Sequence, residues 1–176
     1  MGAEVEELIG AGAIQARVAE LAGEIRRGYG PDDAVHLVAV LKGAFVFLAD
    51  LMRAFPGPVT CDFIAVSSYG SGTSTSGEVR LTKDVDASLE GRHVVIVEDI
   101  VDTGLTLSYL QEILRARGPR TLRTACLLNK PSRRKVDVRV EHIGFTIEDR
   151  FVVGYGLDVG ERHRNLPFIG VIDGGA

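Results

Sequence analysis

The chain is poor in cysteine, with only Cys61 and Cys126, each inside an apolar run that reads as a strand. Two isolated cysteines make neither a disulfide framework nor a metal-ligand spacing, so both are expected to be reduced core residues. The four histidines, His36, His93, His142 and His163, form no metal spacing and no nucleophile–base pattern. No apolar run approaches the ~20 residues that a membrane-spanning helix needs. The opening MGAEVEELIGAG has no basic start followed by a long apolar stretch, so no signal peptide is expected and the cytoplasm is the default. A net positive charge is also lacking. A formal net charge of -4 argues against a nucleic-acid surface, and Arg133-Arg134-Lys135 reads as a solvated face. Internal repeats and linkers are absent, and 176 residues suit one domain.

What is present is an alternation. Ile14, Val18, Leu21 and Ile25 fall at helical spacing, and Gly28 and Gly30-Pro31 close that helix. Val35 to Val40 is a short run rich in β-branched residues and reads as a buried strand. A helix from Ala44 to Phe55 stops at Pro56-Gly57-Pro58. Strands follow over Cys61 to Val66 and Val94 to Val97, then a helix carrying Leu107, Leu110, Ile113 and Leu114. Leu122 to Leu128, Ile143 to Ile147, Phe151 to Val153 and Phe168 to Ile172 complete the strands. Strands alternating with helices predict an α/β domain with a mainly parallel sheet. Ligands of such sheets bind beyond the carboxyl ends of the strands, which points to the loops starting at Leu41, Ser67, Glu98 and Asn129.

The loop after Val94-Val95-Ile96-Val97 is the most informative. It reads Glu98-Asp99-Ile100-Val101-Asp102-Thr103-Gly104-Leu105-Thr106 and opens a helix. Unpaired N–H groups at a helix start, with the Thr103 and Thr106 hydroxyls, can cradle a phosphate, and Gly104 lets the backbone come close. Carboxylates beside a phosphate repel it unless magnesium intervenes, and sugar hydroxyls are their other natural partners. A plainer alternative is a solvated acidic loop with a threonine helix cap.

This segment resembles the phosphoribosyl pyrophosphate (PRPP) signature of type I phosphoribosyltransferases. From about Leu41 to Ile172 the chain is similar to the bacterial hypoxanthine (hypoxanthine-guanine) phosphoribosyltransferases, several motifs recurring in order; the first ~30 residues carry little of the likeness. The resemblance implies the type I phosphoribosyltransferase fold. This is a mainly parallel sheet flanked by helices, with a mobile lid over about 67–83 and a purine-binding hood from about 148–176. It implies a magnesium-dependent, cytoplasmic enzyme of purine salvage that moves the phosphoribosyl group of PRPP to N9 of hypoxanthine or guanine. The products are IMP or GMP and pyrophosphate, and the assembly is a homodimer or homotetramer.

The roles it implies are residue by residue. Glu98 and Asp99 handle the ribose hydroxyls, directly or through magnesium. Asp102 is the general base toward purine N7. Thr103, Gly104, Leu105 and Thr106 hold the 5'-phosphate, Leu105 standing where mammalian relatives have lysine. Leu41-Lys42-Gly43, alone only a basic strand-to-helix turn, becomes the pyrophosphate loop, with a cis peptide expected between Lys42 and Gly43. The glycine-rich stretch from Ser67 to Gly77, alone a plain hairpin tip, becomes the lid, Ser68 and Tyr69 closing over the reacting centre. Lys130, alone a surface lysine, donates to purine O6. Phe151, alone a core aromatic, stacks on the base while the Val152 backbone reads its edge. Asp158 holds magnesium through water, and Arg164 (with Arg162 as the near alternative) contacts pyrophosphate.

Overall fold

The computed structural model describes residues 4–68 and 78–172. In chain order the elements are β1 (Val5–Ile9), α1 (Ala11–Arg26), β2 (Val35–Leu41), α2 (Phe45–Ala54), β3 (Val59–Ser68) and β4 (Val79–Lys83). They continue with β5 (His93–Val101), α3 (Leu105–Arg115), β6 (Thr121–Asn129), β7 (His142–Thr146), β8 (Val152–Val153) and β9 (Ile169–Ile172). A six-stranded sheet runs β4-β3-β2-β5-β6-β7, parallel throughout except for the β3–β4 hairpin. A separate antiparallel sheet has the order β1-β9-β8.

The central strands are apolar on both faces because both faces are covered. Residues 35–40 of β2 are all buried, and alternate residues serve two cores. Leu37 and Ala39 meet α1 and α2, whereas Val38 and Val40 meet Leu107, Leu110 and Leu114 of α3. Helix α1 buries Ile14, Val18, Leu21, Ala22 and Ile25, one stripe at helical period. Val152, Ile169 and Val171 of the small sheet join the α1–α2 core, which fixes that sheet beside the carboxyl ends of the large one.

The α/β reading holds, with four differences. Strand β5 does not stop at Val97 but runs to Val101, so Glu98 and Asp99 are strand residues. The opening segment forms β1, pairing with β9 at the far end of the chain. Strand β4 lies inside the segment read as a lid, and Ser68 is its backbone partner through Val79. Residues 69–77, with Tyr69, lie outside those described. Cys126 is buried as expected, and burial pushes its thiol up to about 12. Cys61 is exposed instead: it lies early in β3, before the stretch from Ala65 that β4 pairs with. No described helix is long and apolar enough to cross a membrane.

Candidate active site

The carboxyl ends of β2, β5 and β6 gather the polar side chains that the apolar cores exclude. Glu98 is 5% exposed. Burial, and then the neighbouring Asp99 charge, hold Glu98 well above the usual carboxylate range. Asp99 is also raised, chiefly by burial; the Ile100 amide (2.8 Å) and the Arg164 charge oppose this. Strand alternation turns the two acids apart. Asp99 lies against Gly43, where any Cβ would run into its carboxylate. Glu98 enters a pocket of about 80 Å³ lined also by Asp102, Thr103, Gly104 and Thr106.

That pocket sits at the start of α3. Gly104 is the N-cap, with φ 84°, and has no side chain with which to cap the helix. A Cβ there would press on Arg134, Val138 and the Val136 carbonyl at 3.1–3.2 Å, so the left-handed turn and the close packing both call for glycine. The Thr103 hydroxyl accepts a long bond from the Leu105 amide, 3.3 Å. The helix-start amides that follow Leu105 suit an anion.

Two charge networks frame this centre. In the first, Arg133 Nε donates to Asp102 at 3.0 Å and Arg133 Nη1 reaches Asp149 at 3.5 Å. Asp149 in turn faces Lys130 Nζ at 3.7 Å. Lys130 is 7% exposed, which removes the surface-lysine reading; a lysine so buried calls for a partner. The basic run is likewise not a plain solvated face: Arg134 bonds the Asn129 side chain, and the Lys135 amide donates to the Thr103 carbonyl at 2.9 Å. Its residues brace the Asp102 loop, a contact that charge spacing alone does not reveal.

In the second network, Arg164 donates to the Gly156 carbonyl at 2.7 Å and pairs with Asp158 at 3.1 Å. It also reaches Glu161 at 3.1 Å, whose carboxylate takes Lys42 Nζ at 2.9 Å. Arg164 therefore joins the Lys42 loop to the Asp158 turn, while Arg162 is exposed outside that network. A Cβ on Gly156 would strike the Gly43 carbonyl, so the two loops meet backbone to backbone. Tyr155, behind them, donates its hydroxyl to Asp50 of α2.

The cis peptide in the Lys42 loop joins Leu41 to Lys42, not Lys42 to Gly43. A peptide isomer leaves no mark in composition or spacing, so likeness to a family locates the loop but not the bond. Phe151 is not a core aromatic: it is 41% exposed, next to the buried Val152. Glu98, Asp99 and Asp158 do not converge as a cage; among the described residues no three acidic, histidine or cysteine side chains do. The alternation at Glu98–Asp99 and the grip of Arg164 on Asp158 account for this. Arg133, Asp149, Gly156 and Glu161 escaped the sequence reading, and only the glycine had a local signal, in Gly154-Tyr155-Gly156.

An acidic strand end, a glycine-capped helix start and cationic loops on a parallel sheet suit a ligand that carries both phosphates and sugar hydroxyls. The phosphoribosyl transferase domain model matches residues 4–159, and the chain belongs to that family. It is 52% identical over 171 residues to the hypoxanthine-guanine phosphoribosyltransferase of Mycobacterium avium, covering 94% of this chain and 84% of that one. With the Bacillus subtilis hypoxanthine-guanine phosphoribosyltransferase it shares 49% over 165 residues, 94% and 91% of the two chains. A crystal structure of a Bacillus anthracis hypoxanthine-guanine phosphoribosyltransferase superposes with TM-score 0.91 at 46% identity, covering 97% of this chain and 99% of that one. Within the family the chain stands with these hypoxanthine-guanine phosphoribosyltransferases, and it is a transferase of purine salvage.

Proposed function

We propose that the chain transfers the 5-phosphoribosyl group of PRPP to N9 of hypoxanthine or guanine, forming IMP or GMP and pyrophosphate, with magnesium as cofactor. The observation that carries this reading is the buried Glu98, with the half-buried Asp99 beside it, leading into the glycine-capped start of α3. Two desolvated carboxylates beside an anion cradle are costly unless a cation or sugar hydroxyls meet them. That donor set fits magnesium, which takes few protein oxygens and shares the rest with water and phosphates. Bound with PRPP, it would neutralise charge on the departing diphosphate.

The chain's own groups then divide the work. The α3 start, through Thr103, Gly104, Leu105 and Thr106, holds the 5'-phosphate. Glu98 and Asp99 orient the ribose, and Asp158 lies where a metal-bound water can be held. Lys42, Gly43 and Arg164 receive the pyrophosphate, Arg164 through its planar fork. Lys130 donates to O6, which adenine replaces with an amino group, so its ammonium would lose a partner there. The exposed Phe151 ring stacks on the base and the Val152 backbone reads its edge. Asp102 exchanges a proton with N7 as N9 attacks the anomeric carbon and pyrophosphate leaves.

The two unpaired cysteines are in keeping with a reducing cytoplasm. The proposed assembly is a homodimer or homotetramer. The test of the site is PRPP binding by calorimetry with and without magnesium. Binding should weaken by at least roughly tenfold in chelator, since several charge-assisted contacts depend on neutralising the carboxylates. Equal affinity in both conditions would remove the metal from the site.

A further inference from the structure

Glu161 holds a place that the reaction has to share. Its carboxylate takes one bond from Lys42 Nζ at 2.9 Å and another from Arg164 Nη2 at 3.1 Å. These are the two cations assigned above to pyrophosphate, brought from positions 119 residues apart in the case of Lys42 and Glu161. The delivery is built into the backbone. Gly160 and Glu161 both have positive φ, 56° and 65°, and the Glu161 amide is tied to Asp158 Oδ2 at 2.8 Å. The turn thereby aims a carboxylate at the gap between two cationic loops. A carboxylate and a phosphate oxygen pair accept the same guanidinium and ammonium donors, so one can stand in for the other.

The contacts are exchangeable rather than structural in character. The Lys42 and Glu161 side chains are 65% and 64% exposed, and ion pairs so placed are readily broken. Arg164 is also anchored to the Gly156 carbonyl and to Asp158, contacts in which the Glu161 side chain takes no part. Its Nε, buried and without a partner in the described residues, leaves donor capacity that a more highly charged anion could use.

We infer that Glu161 is an internal competitor for the pyrophosphate subsite: it neutralises Lys42 and Arg164 in the empty site, yields to the diphosphate of PRPP, and retakes both cations as pyrophosphate leaves. This rests on the reading of Lys42 and Arg164 as pyrophosphate contacts. It gives Glu161 the opposite sign from a positioning clamp. Removing a competitor tightens pyrophosphate binding, whereas removing a clamp loosens it.

The experiment is calorimetric titration of the full chain with inorganic pyrophosphate and magnesium. It compares the unaltered chain, Glu161→Gln, Glu161→Asn and Lys42→Ala. Asparagine tolerates positive φ, so it guards against a backbone artefact of the first variant. Both Glu161 variants should bind pyrophosphate roughly 3- to 10-fold more tightly, the scale of two exposed ion pairs released from competition. Lys42→Ala should bind it more weakly. If Lys42→Ala binds as the unaltered chain does, the assignment of Lys42 falls and the competitor role with it. If Lys42→Ala weakens binding but the Glu161 variants bind equally or more weakly, the subsite stands and the competitor role alone is overturned.

Discussion

At the scale of single residues, the site is a set of charges that the sequence spells out but does not pair. Asp102 is legible as a functional acid because it follows an apolar strand and precedes a glycine helix start. Its bond to Arg133 is not, since the two lie 31 positions apart and the arginine sits in an ordinary basic run. The same holds for Lys130, whose burial is set by strands on either side of it rather than by its neighbours in sequence. Asp102 is also where chemistry and structure can be told apart. Asp102→Asn keeps size and most hydrogen bonding, so the fold and PRPP binding should survive. The amide cannot accept a proton, and the chemical step should slow by ~10²–10⁴-fold, the usual worth of a general base. Single-turnover kinetics and a melting curve on that variant decide the matter. Lower melting temperature with nearly normal turnover per folded molecule would make Asp102 a structural residue of the loop.

At the scale of elements, legibility follows the distance over which the stabilising contact acts. Helix α1 and strand β2 are readable because their apolar period is local and complete. Strand β1 is not: Val5-Glu6-Glu7-Leu8-Ile9 has three consecutive exposed or acidic positions and is held by pairing with β9, some 160 residues away. Strand β4 does alternate, Val79, Leu81 and Lys83 turning inward, but likeness to a lid motif draws attention away from that period. Within β2, His36 makes an element-level prediction. It is 3% exposed, and its Nδ1 shares a hydrogen bond with the Thr60 hydroxyl at 2.7 Å. Burial, and then the Arg92 guanidinium, hold its imidazole below the usual range, while Asp62 pulls the other way. A lowered folded-state value means that the unfolded chain binds this proton more readily. Stability from the neutral ring is therefore full above about pH 6.5, the ordinary histidine value, and is lost as pH falls below it. The raised Glu98 and Asp99 act with the opposite sign, favouring the folded state at low pH, so a variant is needed to isolate the histidine. The melting temperature should fall between pH 7.5 and 5.5 more steeply in the unaltered chain than in His36→Gln. Parallel slopes would show that His36 titrates alike in both states.

At the scale of the whole molecule, one architecture explains why residues from every third of the chain meet. The parallel sheet puts the ends of β2, β5 and β6 on one edge, and the small β1-β9-β8 sheet stands beside it on the shared α1–α2 core. The turn after β8 can therefore bring Asp158 and Arg164 to the Lys42 loop, with Gly43 and Gly156 allowing the loops to touch. The order of motifs along the chain was enough to identify the class of transferase. The pairings Lys42–Glu161, Arg133–Asp102 and Lys130–Asp149 required the fold, because nothing in local sequence says which charges will face one another. On the proposed reading this assembled site joins PRPP to a 6-oxopurine, with O6 read by the buried Lys130. The most direct test is to measure kcat/KM for PRPP-dependent nucleotide formation with hypoxanthine, guanine and adenine under one condition. Hypoxanthine and guanine should be converted, and adenine rejected by roughly 10⁴-fold, the discrimination expected when a buried donor is left unpaired. Comparable turnover of adenine, or no PRPP-dependent nucleotide from hypoxanthine or guanine, would contradict it.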